Sequence, residues 1–134
     1  MPTPPLRVVA GVWLRPPFLL AARRAADAAQ GGLWELPGGK VERGESDAIA
    51  LARELNEELG ATVRVGPLVA EHVHAYPRRT IHLIAYEVEA SGEPECREHA
   101  ELRWVDGAGA RTLSWAEADR PLVAEALALL EARC

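Results

Sequence analysis

The sequence predicts a mixed α/β or α+β fold, a single layered domain over residues 1–134. Three observations carry this. Short apolar runs of strand type alternate with two stretches of helical periodicity, the arrangement that packs helices against a mixed sheet. A chain of 134 residues corresponds to about one domain. No repeat and no low-complexity linker divides it. Apolar residues at 49 % and charged residues at 26 % are ordinary for a globular protein and exclude a disordered tail or a coiled coil.

Taken in order, Val-rich Leu6–Leu14 reads as a buried strand. Arg15-Pro16-Pro17 is a turn, and Phe18–Arg23 is the returning strand. Residues 25–32 end in Gln30-Gly31-Gly32, a loop. Leu33–Leu36 is a short strand stopped by Pro37-Gly38-Gly39. Ser46 or Asp47 caps a helix whose apolar face is Ala48, Leu51, Ala52, Leu55 and Leu59, and Gly60 ends it. Ala61–Val65, Pro67–His74 and Thr80–Glu89 alternate like strands, Ser91–Pro94 is a turn, and Leu102–Val105 is a short strand. Pro121 opens a second helix, with Leu122, Val123, Ala126, Leu127 and Leu130 facing the core.

The net charge of −5 argues against tracking a nucleic-acid polymer, which calls for clustered basic residues. A small phosphate compound remains compatible, with a metal ion's help. The two cysteines, Cys96 and Cys134, form no metal or redox pair. The start, Met1-Pro-Thr-Pro-Pro, lacks a charged lead-in to an apolar run, and no apolar run is long enough to span a membrane. A cytoplasmic, reducing compartment is expected, and a monomer from size.

The informative stretch is Gly38–Gly60, GGKVERGESDAIALARELNEELG. On the helix, Glu54, Glu57 and Glu58 stand at i, i+3 and i+4, so they share a sector of roughly 100° beside the leucine face. Like charges at this spacing repel by about 0.2–0.5 kcal/mol per pair. They also sit in the last turns, where the helix dipole disfavours negative charge. Arg53 offsets part of this by an i, i+4 pair with Glu57. A divalent cation offsets more: Mg²⁺ takes one or two carboxylates plus water and substrate phosphates. Before the helix, Gly38-Gly39 permits close backbone approach to a ligand, and Lys40, the sole lysine, follows.

The spacing Gly39-x5-Glu45-x7-Arg53-Glu54-Leu55-x-Glu57-Glu58-x-Gly60 resembles the Nudix box, G-x5-E-x7-R-E-U-x-E-E-x-G-U, with every fixed position filled. Ala61 departs from it, standing where a bulkier aliphatic packs. Arg23–Asp27, Leu33–Lys40, Thr80–Leu83, Glu98-His99, Trp104 and Ala118–Leu122 extend the likeness to the MutT-like branch of Nudix hydrolases, nearest its CTP pyrophosphohydrolases. The resemblance implies an α/β/α sandwich with a mixed central sheet and two main helices. It implies hydrolysis of a nucleoside triphosphate to monophosphate and pyrophosphate, with water attacking the β-phosphorus.

By position, the resemblance implies that Glu54, Glu57, Glu58 and the Gly38 carbonyl ligate Mg²⁺ or Mn²⁺. Arg53 orients a glutamate, and Glu45 lies near the metal. Proton removal from water needs a carboxylate within hydrogen-bond reach; Glu98 and Glu58 are both candidates. Lys40 and Arg24 are expected to contact phosphates, and Arg78, beside Arg79 in a loop, is a weaker candidate. Asp119 stands where the family reads the base. An ionised Asp only accepts hydrogen bonds, which suits the cytosine N4 amino group; a protonated one, which needs an apolar pocket, would suit an oxidised guanine. Asp119 also sits where it could cap the last helix. Leu36 and Tyr76 are base-pocket walls or core.

Three alternatives stand beside this. His72, His74 and His82 on neighbouring strands would make a zinc site. The same box serves hydrolases of ADP-ribose, sugar nucleotides and dinucleoside polyphosphates. A nucleotide-binding module without catalysis would be marked by damage to Arg53, Glu54, Glu57 or Glu58, and none is damaged.

Overall fold

The computed structural model describes residues 3–134; Met1 and Pro2, the start of the segment read for a leader, lie outside the described residues. The elements run β1 (Leu6–Arg15), β2 (Phe18–Arg23), β3 (Trp34–Glu35), β4 (Gly38–Lys40), α1 (Asp47–Leu59), β5 (Arg64–Tyr76), β6 (Arg79–Glu89), β7 (Glu101–Val105), α2 (Gly107–Thr112) and α3 (Arg120–Ala132), with a 3-10 turn at Glu117–Asp119 before α3. The sheet order is β3-β2-β1-β6-β5, with β4 added on β1 and β7 on β2. β1 and β6 are parallel and every other named pair is antiparallel, so the sheet is mixed.

Alternation along β1 sends its side chains to two cores. Val9 and Trp13 join Leu20, Leu51, Leu55 and Leu59 beneath α1. Ala10 and Val12 join Leu19, Trp115, Leu122 and Leu127 beneath α3. A helix on each face gives the α/β/α sandwich. Ala61 is buried in the α1 core, so the small residue at that position packs. No described helix is long and apolar enough to cross a membrane.

Four local readings change. Pro37-Gly38-Gly39, expected to stop a strand, runs straight into another, with Gly38, Gly39 and Lys40 opposite Ala10, Val9 and Val8. Ala61–Val65 and Pro67–His74 are not two strands; β5 starts at Arg64 and runs to Tyr76, with register shifts around Leu68. The shifts, at an edge strand, accommodate Pro67, which has no N–H to give a ladder. α2 was not predicted: its Gly-Ala-Gly start hides a helix that Asp106 caps by accepting from the Gly109 N–H at 2.7 Å. Asp119 makes no side-chain cap to α3.

Candidate active site

α1 is fixed at both ends by its own sequence. Ser46 Oγ accepts from the Ile49 N–H, a true N-cap. Asp47 in the first turn accepts two N–H bonds from Arg7 on β1 at 2.7 Å each and one from the Tyr86 hydroxyl on β6 at 2.6 Å. The Arg7 guanidinium holds the Asp47 carboxyl below its ordinary range. Gly60 closes the helix in the left-handed conformation at φ 64°. α1 is thereby tied to β1 and β6, and its glutamates have a fixed address over β4.

The two glycines of β4 make that approach possible. A Cβ at Gly38 would lie 1.9 Å from the Val9 carbonyl oxygen. A Cβ at Gly39 would lie 2.3 Å from the Glu54 carboxyl carbon. Only glycine lets β1, β4 and the Glu54 carboxylate come together here.

Arg53 is the hub of the carboxylates. It donates Nε and Nη2 to Glu45 at 2.7 and 2.8 Å, and Nη1 to Glu54 at 2.9 Å. Nη1 also reaches Glu57 at 3.4 Å, the expected i, i+4 contact, and Nη2 donates to the Lys40 carbonyl at 3.1 Å. The guanidinium, with the Glu42 N–H, holds Glu45 down at about 2, while Glu45 raises the Arg53 pKa. Both Glu45 oxygens accept from Arg53, so Glu45 orients the arginine that orients Glu54.

Glu58 is the buried member, 8 % exposed. Burial first, then the facing charges of Glu35, Glu54 and Glu98, push its carboxyl up to about 9. Its Oε2 is buried without a hydrogen-bond partner. Such an oxygen, beside Glu54 and the glycine cradle, fits a carboxylate that takes a hard cation. Among the described residues no group of three His, Cys, Asp or Glu forms a ready-made metal cage. Mg²⁺ does not require one, because it keeps waters and uses substrate phosphates. Glu57 is about half exposed on the same helix side.

The remaining predicted residues fall into two groups. Asp119, Leu36, Tyr76 and Arg24 gather around Glu35 of β3. The Leu36 N–H donates to Asp119 Oδ2 at 3.0 Å, and the Ala118 N–H donates to the Tyr76 hydroxyl at 3.0 Å. Leu36 is core, 2 % exposed, while Tyr76 is half-buried. Arg24 is not a free phosphate contact: it donates to Glu35 at 2.8 Å and to the Ala29 carbonyl. Lys40, Arg78 and Glu98 are exposed. Glu98 is near enough to act on the Glu58 charge. His99, which was given no role from sequence, lies beside Glu58; its only sequence signal is its place after Glu98.

The zinc alternative is corrected by register. Val73, not His72 or His74, is the cross-strand partner of His82. His82 therefore projects from the opposite sheet face, where it meets Glu71 at 2.8 Å. His74 instead contacts Glu117 at 3.1 Å.

Burial, then the Glu35 charge, pushes the Asp119 carboxyl up to about 8. The unfolded group titrates near its ordinary 3.8. Between those values the folded state binds the extra proton, so Asp119 makes stability fall as pH rises, until the fall levels off above about pH 8. Asp119→Asn removes this slope. The wild type is expected to lose about 2–4 kcal/mol relative to the variant between pH 5 and 8, read from urea unfolding. Parallel pH curves for the two proteins would contradict the burial argument.

A cleft of about 550 Å³ at the far end of β1, lined by Trp13, Arg15, Thr62, Arg64, Glu89 and Ser91, contains none of these carboxylates.

The family model described as NUDIX domain matches residues 5–126. The chain is 43 % identical over 129 residues to the CTP pyrophosphohydrolase of Escherichia coli (strain K12), covering 96 % of each. It is 35 % identical over 108 residues to the 8-oxo-dGTP diphosphatase of the same strain, covering 80 % of this chain and 84 % of that protein. Its fold is similar to the solution structure of the E. coli ORF135 protein, with a TM-score of 0.83, 43 % identity, and coverage of 96 % of this chain and 92 % of that one.

Proposed function

The chain belongs to the NUDIX family, and from that premise we propose that it is a metal-dependent nucleoside triphosphate pyrophosphohydrolase, releasing monophosphate and pyrophosphate from cytosine or oxidised nucleotides. The single observation that carries the reading is the Arg53 hub, which gathers Glu45, Glu54 and Glu57 beside the buried, unpartnered oxygen of Glu58. Glu54, Glu57, Glu58 and the Gly38 carbonyl would hold Mg²⁺, or Mn²⁺ in its place. When bound, the ion neutralises phosphate oxygens and lowers the pKa of water.

The chain's own residues supply the rest. Arg53 keeps Glu54 and Glu57 in position. Glu98, exposed at the edge of the cluster, takes the proton of the water whose oxygen bonds to the β-phosphorus. The bond from that phosphorus to the bridging oxygen breaks, and the nucleoside monophosphate leaves with the oxygen. Lys40, whose carbonyl Arg53 holds, and the exposed Arg78 are the cations assigned to outer phosphates in this reading.

Asp119 selects the base. Its Oδ2 is occupied by the Leu36 N–H, leaving Oδ1 for substrate. As a neutral acid in its buried pocket, with the proton on Oδ1, it donates as well as accepts: of the two forms weighed from sequence this is the one matched to an oxidised guanine, and the same donor and acceptor also fit a cytosine. It serves the cytosine N3 and N4–H edge. The substrate is a small molecule. The reading takes the protein as a single-domain monomer acting on the cytoplasmic nucleotide pool, not on a nucleic-acid polymer.

The test is a substrate panel with Mg²⁺: CTP, dCTP, dGTP, 8-oxo-dGTP, ADP-ribose and diadenosine polyphosphate, with pyrophosphate and monophosphate followed separately. Pyrophosphate from a triphosphate is expected. Asp119→Asn, which leaves an NH₂ donor facing the base, is expected to lower the cytosine-to-guanine preference about tenfold, the cost of about one lost hydrogen bond. Cleavage of ADP-ribose or the dinucleotide alone would keep the family chemistry and remove the triphosphate assignment. An unchanged base ranking in the variant would remove Asp119 as the reader.

A further inference from the structure

Four side chains from four parts of the fold form one continuous polar row under the site. Arg24, just after β2, donates Nη1 to Glu35 Oε1 at 2.8 Å. The other Glu35 oxygen is 2.8 Å from His99 Nε2. That same Nε2 is 3.9 Å from Glu58 Oε2 on α1. The row is largely buried: the side chains of His99, Glu58 and Glu35 are 5 %, 10 % and 14 % exposed. Its Glu35 and Arg24 end is also where the Asp119 carboxyl feels outside charge.

His99 stands between two carboxylates that repel each other. Packing alone does not call for an imidazole here, since its Nδ1 is buried with no hydrogen-bond partner. A buried orphan nitrogen is destabilising, whereas an apolar side chain would fill the same space without that cost. The Nε2–H has a defined use: Glu35 accepts it, which fixes the ring.

The loop carrying His99 is tied to the turn that carries Glu58. The Glu95 N–H donates to the Leu59 carbonyl at 2.7 Å, and the Arg97 N–H to the Glu58 carbonyl at 3.4 Å. Arg97 Nη1 donates to the Asn56 carbonyl at 3.2 Å. α1 has no basic residue in its last turn, so Arg97 brings the missing cation to its negative end from outside.

From this geometry we infer that His99 is a positioning residue: held by Glu35 and by the Arg97-anchored loop, its ring separates Glu35 from Glu58 and keeps Glu58 Oε2 free for a cation. This rests on the reading of Glu58 as a metal ligand. It links the Asp119 side of the site to the carboxylates of α1 through one ring. Partners of ligating groups, although they do not touch the metal, commonly tune its affinity 10–100-fold.

The experiment compares His99→Gln, His99→Asn and His99→Leu with the wild type in the full chain. Glutamine places its amide N–H where Nε2 was and can still reach Glu35. Asparagine places it near Nδ1 and cannot. Leucine fills space with no donor. The first readout is Mn²⁺ affinity of the substrate-free protein, from the electron paramagnetic resonance signal of unbound Mn²⁺. The second is the kcat and KM split for whichever triphosphate the panel identifies.

Leucine and asparagine are expected to weaken Mn²⁺ binding about tenfold or more and to lower kcat with KM little changed. Glutamine is expected to restore most of both, and thermal unfolding to stay near that of the wild type. Should leucine fail to fold, the asparagine–glutamine contrast carries the comparison. Equal Mn²⁺ affinity in all four proteins, equal loss in glutamine and asparagine, or no Mn²⁺ binding by the wild type would overturn the inference. A wild type that hydrolyses no triphosphate, while the Mn²⁺ series still separates glutamine from asparagine, would overturn the triphosphate reading and leave the role of His99 standing.

Discussion

Glu58→Gln is expected to abolish most of the activity and to stabilise the metal-free protein. The glutamate is buried, and burial together with Glu35, Glu54 and Glu98 disfavours its ionised form in the absence of a cation. Glutamine keeps the shape and removes the charge. Relief of that burial is expected to add about 1–3 kcal/mol in the presence of a chelator, measured by urea unfolding. Turnover is expected to fall about 10²–10⁴-fold, whether the carboxylate acts as ligand or as proton acceptor. The opposite signs are the diagnostic part. A residue retained for the fold alone would lose stability when replaced, whereas one retained for chemistry costs stability while it is present. Full activity in the variant would remove Glu58 from the site.

Gly38→Ala and Gly39→Ala, adjacent in β4, are expected to fail in different ways. The new methyl at Gly38 meets the Val9 carbonyl oxygen at 1.9 Å, and that oxygen belongs to the central strand β1. Backbone there cannot yield without breaking the β1–β4 pairing, so a loss of about 4 kcal/mol or more, or no folded protein, is expected. The atoms nearest the methyl at Gly39 all belong to the end of the Glu54 side chain. That carboxylate can rotate away, so the stability change is expected to stay within about 1 kcal/mol. Rotation carries it off Arg53 and out of the glutamate cluster. A displacement of that order costs about 10²-fold in rate. Circular dichroism melts and the pyrophosphate assay separate the two outcomes. A stable Gly38→Ala protein, or a fully active Gly39→Ala protein, would show that the close packing of β4 against β1 and α1 is not required.

What the sequence alone determined about this protein is what depends on residues near one another in the chain. The cap at Ser46, the leucine stripe and the Gly60 stop delimit α1 because each acts within one or two helical turns. The same periodicity puts Glu54, Glu57 and Glu58 on one side. The Arg15-Pro16-Pro17 turn and the start of α3 at Arg120-Pro121 are local in the same way. Where the local signal was absent, the reading failed: Gly38–Lys40 is a strand only because β1 pairs with it, and the glycines of α2 mask a helix that Asp106 starts.

Tertiary structure alone decided how the polar groups are shared. Arg53 could be matched to Glu57 by helical spacing, but its strongest partner is Glu45, eight residues away across a turn. Arg24 is consumed by Glu35 instead of standing free. The Asp119 carboxyl is pushed up because the core closes around it and Glu35 faces it, against the pull of the Leu36 N–H, 83 positions away in sequence, which favours the charged form. His99 gains a role only where β3 and α1 bring Glu35 and Glu58 to either side of its ring. Spacing along a chain determines which side chains share a helix face. Burial and distant partners determine which of them keep a charge, a proton or a free oxygen, and those exist only once the sheet has brought the segments together.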